Sequence, residues 1–409
     1  MNLAILGGVP VRREPFQSWP QYSDEEEKAL LDALHSRAWG GYGKWVQRFE
    51  EDFTALHRMQ YGISCANGTV ALEVAMRAIG IECSDEVVVT AFTFIASASA
   101  ILMAHGVPIF ADIDPHTMNI SPDSLESVIT PRTKAVVVVH FGGHPADMDA
   151  IVKIANRHKI SIIEDCSHAH GASWHGKPVG GFGAVGTFSF QAFKLATAGE
   201  GGIIVTNDKA LSDASWSYCN QGRIRGGQWY EHCSLGTNYR LTAFQGAMLY
   251  TQLQKLKAQT ELRTKNASYL RQRLKAIEGL STEEPSPFAE NHPQYLMTLR
   301  FNPAAFNGIS REAFLEAIKA EGVPMREVYP YPLYRNPMFQ QEAMAKYSCR
   351  GWKALPDYSK LHLEEVERIC KEGLWLEHEL FLGKEKDMDD IVDAVVKVQQ
   401  NSKFLVARS

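Results

Sequence analysis

Residues 160–171 have the sequence ISIIEDCSHAHG, in which a short apolar run ends abruptly in acidic and histidine residues. A run of this kind is typical of a strand that is buried on both faces of a parallel sheet. Ligands of open α/β sheets bind at the carboxyl ends of such strands. Asp165 is therefore a candidate partner for a protonated heterocyclic nitrogen. The alternative, that this carboxylate caps the next helix, is equally compatible with the sequence.

Four similar apolar runs accompany this one in the first half of the chain. Each has four or five residues and is followed by small or polar residues; they cover 86–89, 107–110, 135–139 and 202–205. Helix-length segments are expected at 24–36, 67–78 and 147–157, between or before these runs. The alternation predicts an α/β fold in which a mostly parallel sheet lies between layers of helices.

The character of the sequence changes near Leu253. A long charged helical segment covers 253–277, and an alternating strand-like stretch at 295–301 precedes a helix at 311–321. We therefore expect a large domain over 1–253, with an N-terminal arm of about 23 residues, and a smaller α+β domain over 254–409.

Composition excludes several classes of function. The chain has 409 residues, 45% of them hydrophobic, and a net charge of -5, so it can bury a substantial core and is not built for nucleic acid or an anionic membrane surface. No run approaches the roughly 20 apolar residues that cross a bilayer, and the first residues do not resemble a signal peptide. We expect a soluble cytoplasmic protein that binds any anion locally, in a pocket.

The cysteines and histidines suggest neither a disulfide framework nor a metal site. Seven cysteines are scattered without a C-x-x-C pair, which favours free thiols in a reducing compartment. His168, His170 and His175 are close in sequence but lack an accompanying ligand pattern, so no metal is expected.

Residues 187–202 have the sequence TFSFQAFKLATAGEGG, which places Lys194 among apolar and small residues ahead of a glycine-rich turn. Partial desolvation there would lower the pKa of the lysine amine and make it nucleophilic enough to form a Schiff base. A surface lysine whose stem covers apolar residues is the competing interpretation.

Two further segments are candidate anion sites. Residues 65–69, CANGT, precede a helix whose first N–H groups and the Thr69 hydroxyl would suit a phosphate, although a capped glycine turn is also compatible. Residues 236–242, GTNYRLT, offer an amide and a guanidinium directly before another helix, where a simple helix cap is the alternative.

Together these segments resemble the DegT/DnrJ/EryC1/StrS aminotransferases, which have the type I fold of pyridoxal-phosphate (PLP) enzymes. The resemblance is strongest from about 20 to 253. It rests on segments that match in order, namely 67–72 (NGTVAL), 93–97 (TFIAS), 164–171 (EDCSHAHG), 188–190 (FSF) with Lys194, 199–202 (GEGG) and 238–240 (NYR).

The resemblance assigns the reacting groups. It implies that Lys194 carries pyridoxal 5'-phosphate as a Schiff base and then shuttles a proton. It implies that Asp165 pairs with the pyridinium nitrogen, so that the ring accepts electrons. Phe94 would stack on the ring, and His168 would lie near the ring hydroxyl.

The resemblance also implies how the phosphate is held. Gly68, Thr69 and Ser189 would bind it within one subunit. Asn238 would come from a partner subunit, so the expected assembly is a homodimer with shared active sites.

Two departures from the common family pattern concern the substrate. Gln191 stands where many nucleotide-sugar enzymes have histidine, and residues 332–334, PLY, replace a frequent PLH. Both resemble the cyclitol branch, which aminates inososes, and the 3-amino-5-hydroxybenzoate synthases. They therefore disfavour a nucleotide-linked sugar.

The leading hypothesis is transfer of an amino group from L-glutamine or L-glutamate to a ketone on a cyclitol or sugar, with ping-pong kinetics through Lys194. One alternative is a 3-amino-5-hydroxybenzoate synthase, in which the same groups drive dehydration and aromatisation. Others are a nucleotide-keto-sugar aminotransferase and a non-catalytic PLP-binding sensor. The sensor would need a fused partner-binding module, for which the chain has no spare basic segment.

Overall fold

The structure, a computed structural model, describes residues 2–347, 349 and 356–406. Over these residues the strands are β1 (Tyr61–Cys65), β2 (Glu86–Thr90), β3 (Val107–Ala111), β4 (Thr133–Val139), β5 (Ser161–Asp165), β6 (Ser173–Trp174), β7 (Lys177–Pro178), β8 (Val185–Ser189), β9 (Gly202–Thr206), β10 (Leu280–Thr282), β11 (Leu296–Phe301), β12 (Arg326–Glu327) and β13 (Gly373–Glu377).

The helices surround two sheets. They are α1 (Asp24–His35), α2 (Lys44–His57), α3 (Gly68–Ala78), α4 (Ala96–Met103), α5 (Pro122–Val128), α6 (Met148–His158), α7 (Lys209–Cys219), α8 (Ala243–Leu274), α9 (Arg311–Ala320), α10 (Gln341–Tyr347), α11 (Glu364–Glu372) and α12 (Glu385–Asn401). Among the described residues, no helix is both long and apolar enough to cross a lipid bilayer.

The central sheet has seven strands in the order β1-β9-β8-β5-β4-β2-β3. Strands β3, β2, β4, β5 and β8 run parallel, whereas β9 is antiparallel to both of its neighbours. The predicted α/β fold with a mostly parallel sheet is therefore confirmed. All five predicted apolar runs lie in this sheet.

Both faces of the sheet are buried, as its apolar strands predict. Val87 and Val89 of β2 pack into one core cluster, while Val88 between them packs into another on the opposite face. The same two-residue alternation separates Val137 from Val136 and Val138 in β4.

Strands β1 and β8 lie outside the predicted runs. Their sequences, YGISC and VGTFS, contain glycine and hydroxyl residues, so they lack the continuous apolar character of the other strands. Glycine is required in β8 because a Cβ on Gly186 would lie 2.5 Å from Gly180 Cα. This close packing explains why an apolar pattern does not mark the strand.

The second sheet is antiparallel, with the order β10-β11-β13-β12. Helix α8, which begins at a capping box formed by Thr242 and Gln245, is continuous across the domain boundary predicted at 253. Its second half places Ala267, Leu270 and Leu274 in the core of the second sheet. One helix therefore serves both cores, and the division into domains stays a prediction.

The start of the chain packs against the C-terminal part of the molecule. Leu3 is buried in the core of the second sheet. Arg12 Nη1 lies 2.6 Å from Asp387 Oδ1 and 2.8 Å from Asp390 Oδ2. These contacts tie the N-terminal arm to α12.

The expectation that all cysteines are free is wrong for one pair. Cys83 and Cys349 form a disulfide, with their Cα atoms 6.2 Å apart across 266 residues of sequence. Only the fold brings two such distant residues together, so their spacing could not reveal the pair. The other cysteines are free, and of these only Cys233 is exposed.

Candidate active site

A cavity of about 800 Å³ lies where β5 and β8 end and where the second sheet approaches the first. Of the predicted site residues, all except Asn238 line it: Gly68, Thr69, Phe94, Asp165, His168, Ser189 and Lys194. The carboxyl ends of parallel strands thus form the site, as expected for an open α/β sheet.

Asp165 is the last residue of β5, and its carboxylate is buried at the cavity wall. Its Oδ2 accepts a hydrogen bond from Ser97 Oγ at 2.7 Å, and its Oδ1 accepts one from the Ser167 N–H at 3.1 Å. Ser97 Oγ in turn lies 3.0 Å from Thr93 Oγ1. The Ser167 N–H belongs to a turn, and β6 rather than a helix follows β5, so the helix-cap alternative is wrong. Asp165 instead lines the cavity.

Lys194 lies on the turn after β8, and its amine faces the cavity. Its Nζ is 3.4 Å from the Tyr295 hydroxyl and 4.6 Å from the centre of the Tyr295 ring. Burial lowers the pKa of the Lys194 amine to about 8, although the negative charge of Asp165 opposes the shift. About a tenth of this amine is therefore uncharged at pH 7, far more than for an ordinary lysine.

Two other parts of the chain hold the lysine turn in place. The Trp19 Nε1–H of the N-terminal arm donates to the Ala192 carbonyl at 3.0 Å. His378 Nε2 lies 3.0 Å from the Phe193 carbonyl. The rings of Trp19 and His378 also pack edge to face at 4.6 Å. Neither anchoring residue was predicted, since both are distant from Lys194 in sequence.

A second wall of the cavity is the start of α3 beside Ser189. Asn67 Oδ1 caps the helix by accepting from the Val70 N–H at 3.0 Å. The N–H groups of Gly68 and Thr69, at the first turn, have no intrahelical acceptor. A Cβ on Gly68 would lie 2.6 Å from Ser189 Cβ, so glycine allows the helix start to approach the serine. Gly68, Thr69 and Ser189 line the same cavity, as an anion site at a helix start requires.

Aromatic side chains form the rest of the predicted site. The His168 ring stacks on Tyr295 at 4.2 Å, and burial holds the pKa of His168 well below its usual value, so the imidazole is neutral. Its Nδ1 is buried and has no partner among the described residues. Phe94 lines the cavity yet is 57% exposed, which leaves a ring face free for a ligand.

Asn238 is the predicted residue that this chain does not bring to its own cavity. It lies in an exposed segment after α7 and forms a bridge with Asn220. The structure contains one chain, so the predicted contribution of Asn238 to a partner's site stays a prediction.

The wall of the cavity that lies in the predicted small domain, called the small-domain wall below, was missed by the sequence analysis. It consists of Tyr295, Arg326, Tyr329, Trp375 and Glu377. The sequence GLWLE at 373–377 did contain a signal, because Leu374 and Leu376 are in the core and the residues between them must face the other way.

Tyr334 of the PLY segment lies outside the cavity lining. Its side chain is buried, and its hydroxyl donates to Glu367 Oε1 at 2.7 Å. Tyr334, which stands in place of the histidine of the PLH pattern, therefore contributes to packing and not to the cavity lining. Gln191, the other departure, does line the cavity, and its Oε1 accepts from the Phe193 N–H at 2.9 Å.

One buried cluster, His140, Glu164 and Cys166, has the residue types of a metal site. Both Glu164 oxygens, however, already accept hydrogen bonds from the backbone N–H groups of 180, 182 and 183, at 2.6–2.7 Å. His140 Nε2 lies 3.2 Å from Glu164, and its Nδ1 accepts from the Ala146 N–H at 3.0 Å. These bonds fix Glu164 near the end of β5, directly before Asp165.

The family model of the DegT/DnrJ/EryC1/StrS aminotransferases matches residues 20–373, which is most of the chain. The chain belongs to this family. It is therefore an aminotransferase by descent, and the match includes the cavity residues up to Tyr329 but ends before Trp375 and Glu377.

Relatives of this aminotransferase match along nearly its whole length. It is 38% identical to a putative L-glutamine:3-amino-2,3-dideoxy-scyllo-inosose aminotransferase of Micromonospora echinospora, over 98% of this chain and 97% of that one. It is 35% identical to an L-glutamine:2-deoxy-scyllo-inosose aminotransferase of Streptoalloteichus tenebrarius, over 97% of both.

Among solved structures, a 3-amino-5-hydroxybenzoic acid synthase superposes with a TM-score of 0.85. The two chains are 31% identical, and the match covers 97% of this chain and 100% of the synthase. The type I fold of the PLP-enzyme family, expected from the sequence, is confirmed by this similarity.

Proposed function

We propose that this aminotransferase uses PLP to transfer an amino group from L-glutamine to a keto-cyclitol of the inosose class. The observation that carries the proposal is a lysine amine of lowered pKa and a buried aspartate lining one cavity, in a chain whose full-length relatives carry inosose aminotransferase names.

The residues present fit the cofactor. The start of α3 and Ser189 leave room for a phosphate that a Cβ on Gly68 would take away. Ser189 Oγ only accepts a long bond, 3.4 Å from the Gln191 N–H, so its proton is free to be donated to an anion. His168 offers a neutral ring nitrogen without a partner among the described residues.

When bound, PLP supplies an aldehyde that takes up an amine and a ring that stabilises the negative charge left by loss of a proton from carbon. The chain supplies the rest. Lys194 Nζ holds the cofactor at rest and, once released, moves a proton from the donor Cα as a general base. Asp165, held by Ser97, provides the negative charge that keeps a ring nitrogen protonated.

The remaining roles follow the cavity geometry. Phe94 presents a free ring face for stacking, while Gly68, Thr69 and Ser189 bind the phosphate. The donor and acceptor use one cavity in turn, so the kinetics should be ping-pong. We also propose a homodimer in which Asn238 of each chain contributes to the other chain's phosphate site.

The alternative of a 3-amino-5-hydroxybenzoate synthase is favoured by one observation, the superposition of the two folds. That reaction releases water and forms an aromatic product. The two functions therefore differ in whether the acceptor ring keeps its hydroxyl groups.

The test uses the purified protein with PLP, L-glutamine and 2-deoxy-scyllo-inosose. We expect a lysine-dependent visible absorption band that L-glutamine discharges, and an amino-cyclitol product by mass spectrometry. The Lys194→Ala protein is the control and should form neither the band nor the product. An aromatic amino acid formed from a suitable keto-acid precursor, with no amination of the inosose, would favour the synthase instead.

A further inference from the structure

The proposed function requires that one cavity accept two ligands of different charge. The donor amino acid carries an α-carboxylate, whereas a keto-cyclitol is a neutral ring covered with hydroxyl groups. A fixed cation would suit the first ligand and remain unpaired against the second, which is unfavourable in a partly desolvated site. The structure contains an arrangement that resolves this conflict.

The relevant side chains lie on the small-domain wall. In the antiparallel pair of β12 and β13, Arg326 is the register partner of Trp375. Cross-strand partners point to the same face of a sheet, and residues two apart along a strand do so as well. Arg326, Trp375 and Glu377 therefore share one face, and all three line the cavity.

Arg326 is the available cation of this cavity. Among the lining residues that the structure describes, only Lys194 and Arg326 have side chains that are positively charged in their common form. Lys194 is engaged with the cofactor in the proposed function. Within this chain, a carboxylate that enters the cavity therefore has Arg326 as its cationic partner, and a guanidinium can bind it with two parallel hydrogen bonds.

The ion pair that Arg326 makes is loose enough to exchange. Its Nη1 lies 3.6 Å from Glu377 Oε1, beyond hydrogen-bond distance, and the two side chains are 65% and 28% exposed. Glu377 has a second neighbour in Glu379, whose pKa is raised to about 7, mainly by burial and then by the Glu377 charge. With this pKa, Glu379 is partly protonated near neutral pH and can donate a hydrogen bond to Glu377 when the arginine turns away.

We propose that Arg326 selects the amino donor by exchanging Glu377 for the donor's α-carboxylate. It returns to Glu377 when the neutral acceptor occupies the cavity. Glu377 then accepts hydrogen bonds from the acceptor hydroxyls, beside the Trp375 side chain on the same face of the sheet. This inference rests on the proposed function for the identity of the two ligands.

The first experiment compares L-glutamine with L-glutamine α-amide, which lacks the α-carboxylate, in the donor half-reaction. We expect Arg326→Gln to raise KM for L-glutamine about 10- to 100-fold, the range for loss of a charged hydrogen bond, with kcat little changed. The KM for the α-amide should not move, nor should the KM of the keto-cyclitol half-reaction. Glu377→Gln should lower KM for L-glutamine and raise KM for the keto-cyclitol.

The matched control is Arg368→Gln. Arg368 pairs with Glu365 and Glu372 on α11 and is not among the cavity residues, so its removal should leave every KM unchanged. An equal rise in KM for L-glutamine and its α-amide in Arg326→Gln would overturn the inference. An Arg326→Gln protein that prefers L-glutamine over the α-amide as strongly as wild type does would overturn it as well.

A binding measurement separates this inference from the proposed function. Calorimetry with 4-carbamoylbutanoate, which is L-glutamine without its α-amine, measures carboxylate binding to the PLP-loaded protein without turnover. We expect at least 10-fold weaker binding to Arg326→Gln than to wild type or to Arg368→Gln. If wild type does not react with L-glutamine, the proposed function fails. Equal binding of the probe to all three proteins would instead contradict the role of Arg326.

Discussion

The two walls of the cavity are built in different ways. On the wall that lies in the predicted large domain, called the large-domain wall, Asp165 is buried and held by two hydrogen bonds, and Lys194 lies on a turn anchored from two other parts of the chain. On the small-domain wall, Arg326 is mostly exposed and makes only a loose ion pair.

The difference separates two tasks. Groups that act on a bound cofactor must keep one geometry in both halves of a reaction, which rigid strand ends and capped helices provide. Groups that meet two different substrates must adjust between them, which exposed side chains on short strands allow. Changes on the first wall should therefore affect the chemical step, and changes on the second should affect substrate affinity.

The largest effect is expected for Lys194→Ala. Loss of the proton-transferring amine should lower kcat by about 10³-fold or more, with the thermal unfolding temperature nearly unchanged. Steady-state assays and thermal scans check this, with the exposed Lys28→Ala as the control. Activity above a few per cent of wild type would show that the rigid wall does not carry the chemistry.

The next effect concerns the reactivity of the same amine. The pKa of the Lys194 amine is about 8, whereas that of an ordinary lysine is 10.5. Near neutral pH, Lys194 therefore has roughly a few hundred times more uncharged amine than an ordinary lysine. Reductive labelling by a small aldehyde, followed by mass spectrometry across pH 6–10, should show Lys194 half-labelled near pH 8 in the cofactor-free protein. In Asp165→Asn the midpoint should fall further, because the Asp165 charge raises this pKa. An upward shift would contradict the electrostatics of the wall.

Asp165→Asn itself should lower kcat by about 10²-fold, since a neutral amide does not favour a protonated ring nitrogen and pairing of this kind is worth about 1–3 pKa units. The KM for L-glutamine should change little. Steady-state kinetics test this, with Asp213→Asn on α7 as the surface control. A rise in KM at constant kcat would place Asp165 among the substrate-binding residues.

Gly68→Ala is expected to weaken PLP binding by about 10-fold and to cost about 1–3 kcal/mol in folding stability, because the new methyl group meets Ser189. Gly40→Ala is the control, since no atom lies within 4 Å of its added Cβ. Fluorescence titration with PLP and chemical denaturation measure the two effects. Equal PLP affinity in both variants would mean that the helix start does not hold the phosphate.

The smallest effect is expected for Trp19→Phe, which removes one hydrogen bond from the lysine turn but keeps an aromatic ring beside His378. A net loss of about 1 kcal/mol in stability and a few-fold decrease in kcat should follow. Denaturation curves and steady-state rates measure this, and Trp39→Phe is the control because its ring packs on Phe244, away from this turn. A decrease as large as that for Asp165→Asn would mean that the arm takes part in the chemistry.

Much of the large-domain wall could be predicted because its residues are close in sequence to the elements that position them. Asp165 ends an apolar strand, Gly68 and Thr69 begin a helix, and Lys194 follows β8 by five residues. Short-range patterns of this kind mark strand ends and helix starts directly. Strand β8 itself was not predicted, because close packing against Gly180 replaces apolar side chains with glycine.

The sequence by itself determined the α/β fold and the family, and it singled out Lys194 and Asp165 as the proposed reacting pair, because these depend on local patterns. Only the tertiary structure decided the long-range contacts. These are Tyr295 at 3.4 Å from the Lys194 amine, the loose ion pair of Arg326 and Glu377, and the disulfide between Cys83 and Cys349. These contacts join segments about 50 to 270 residues apart, and one sequence pattern does not encode which distant surfaces will meet. Which of these segments come into contact is decided by the packing of the two sheets around α8.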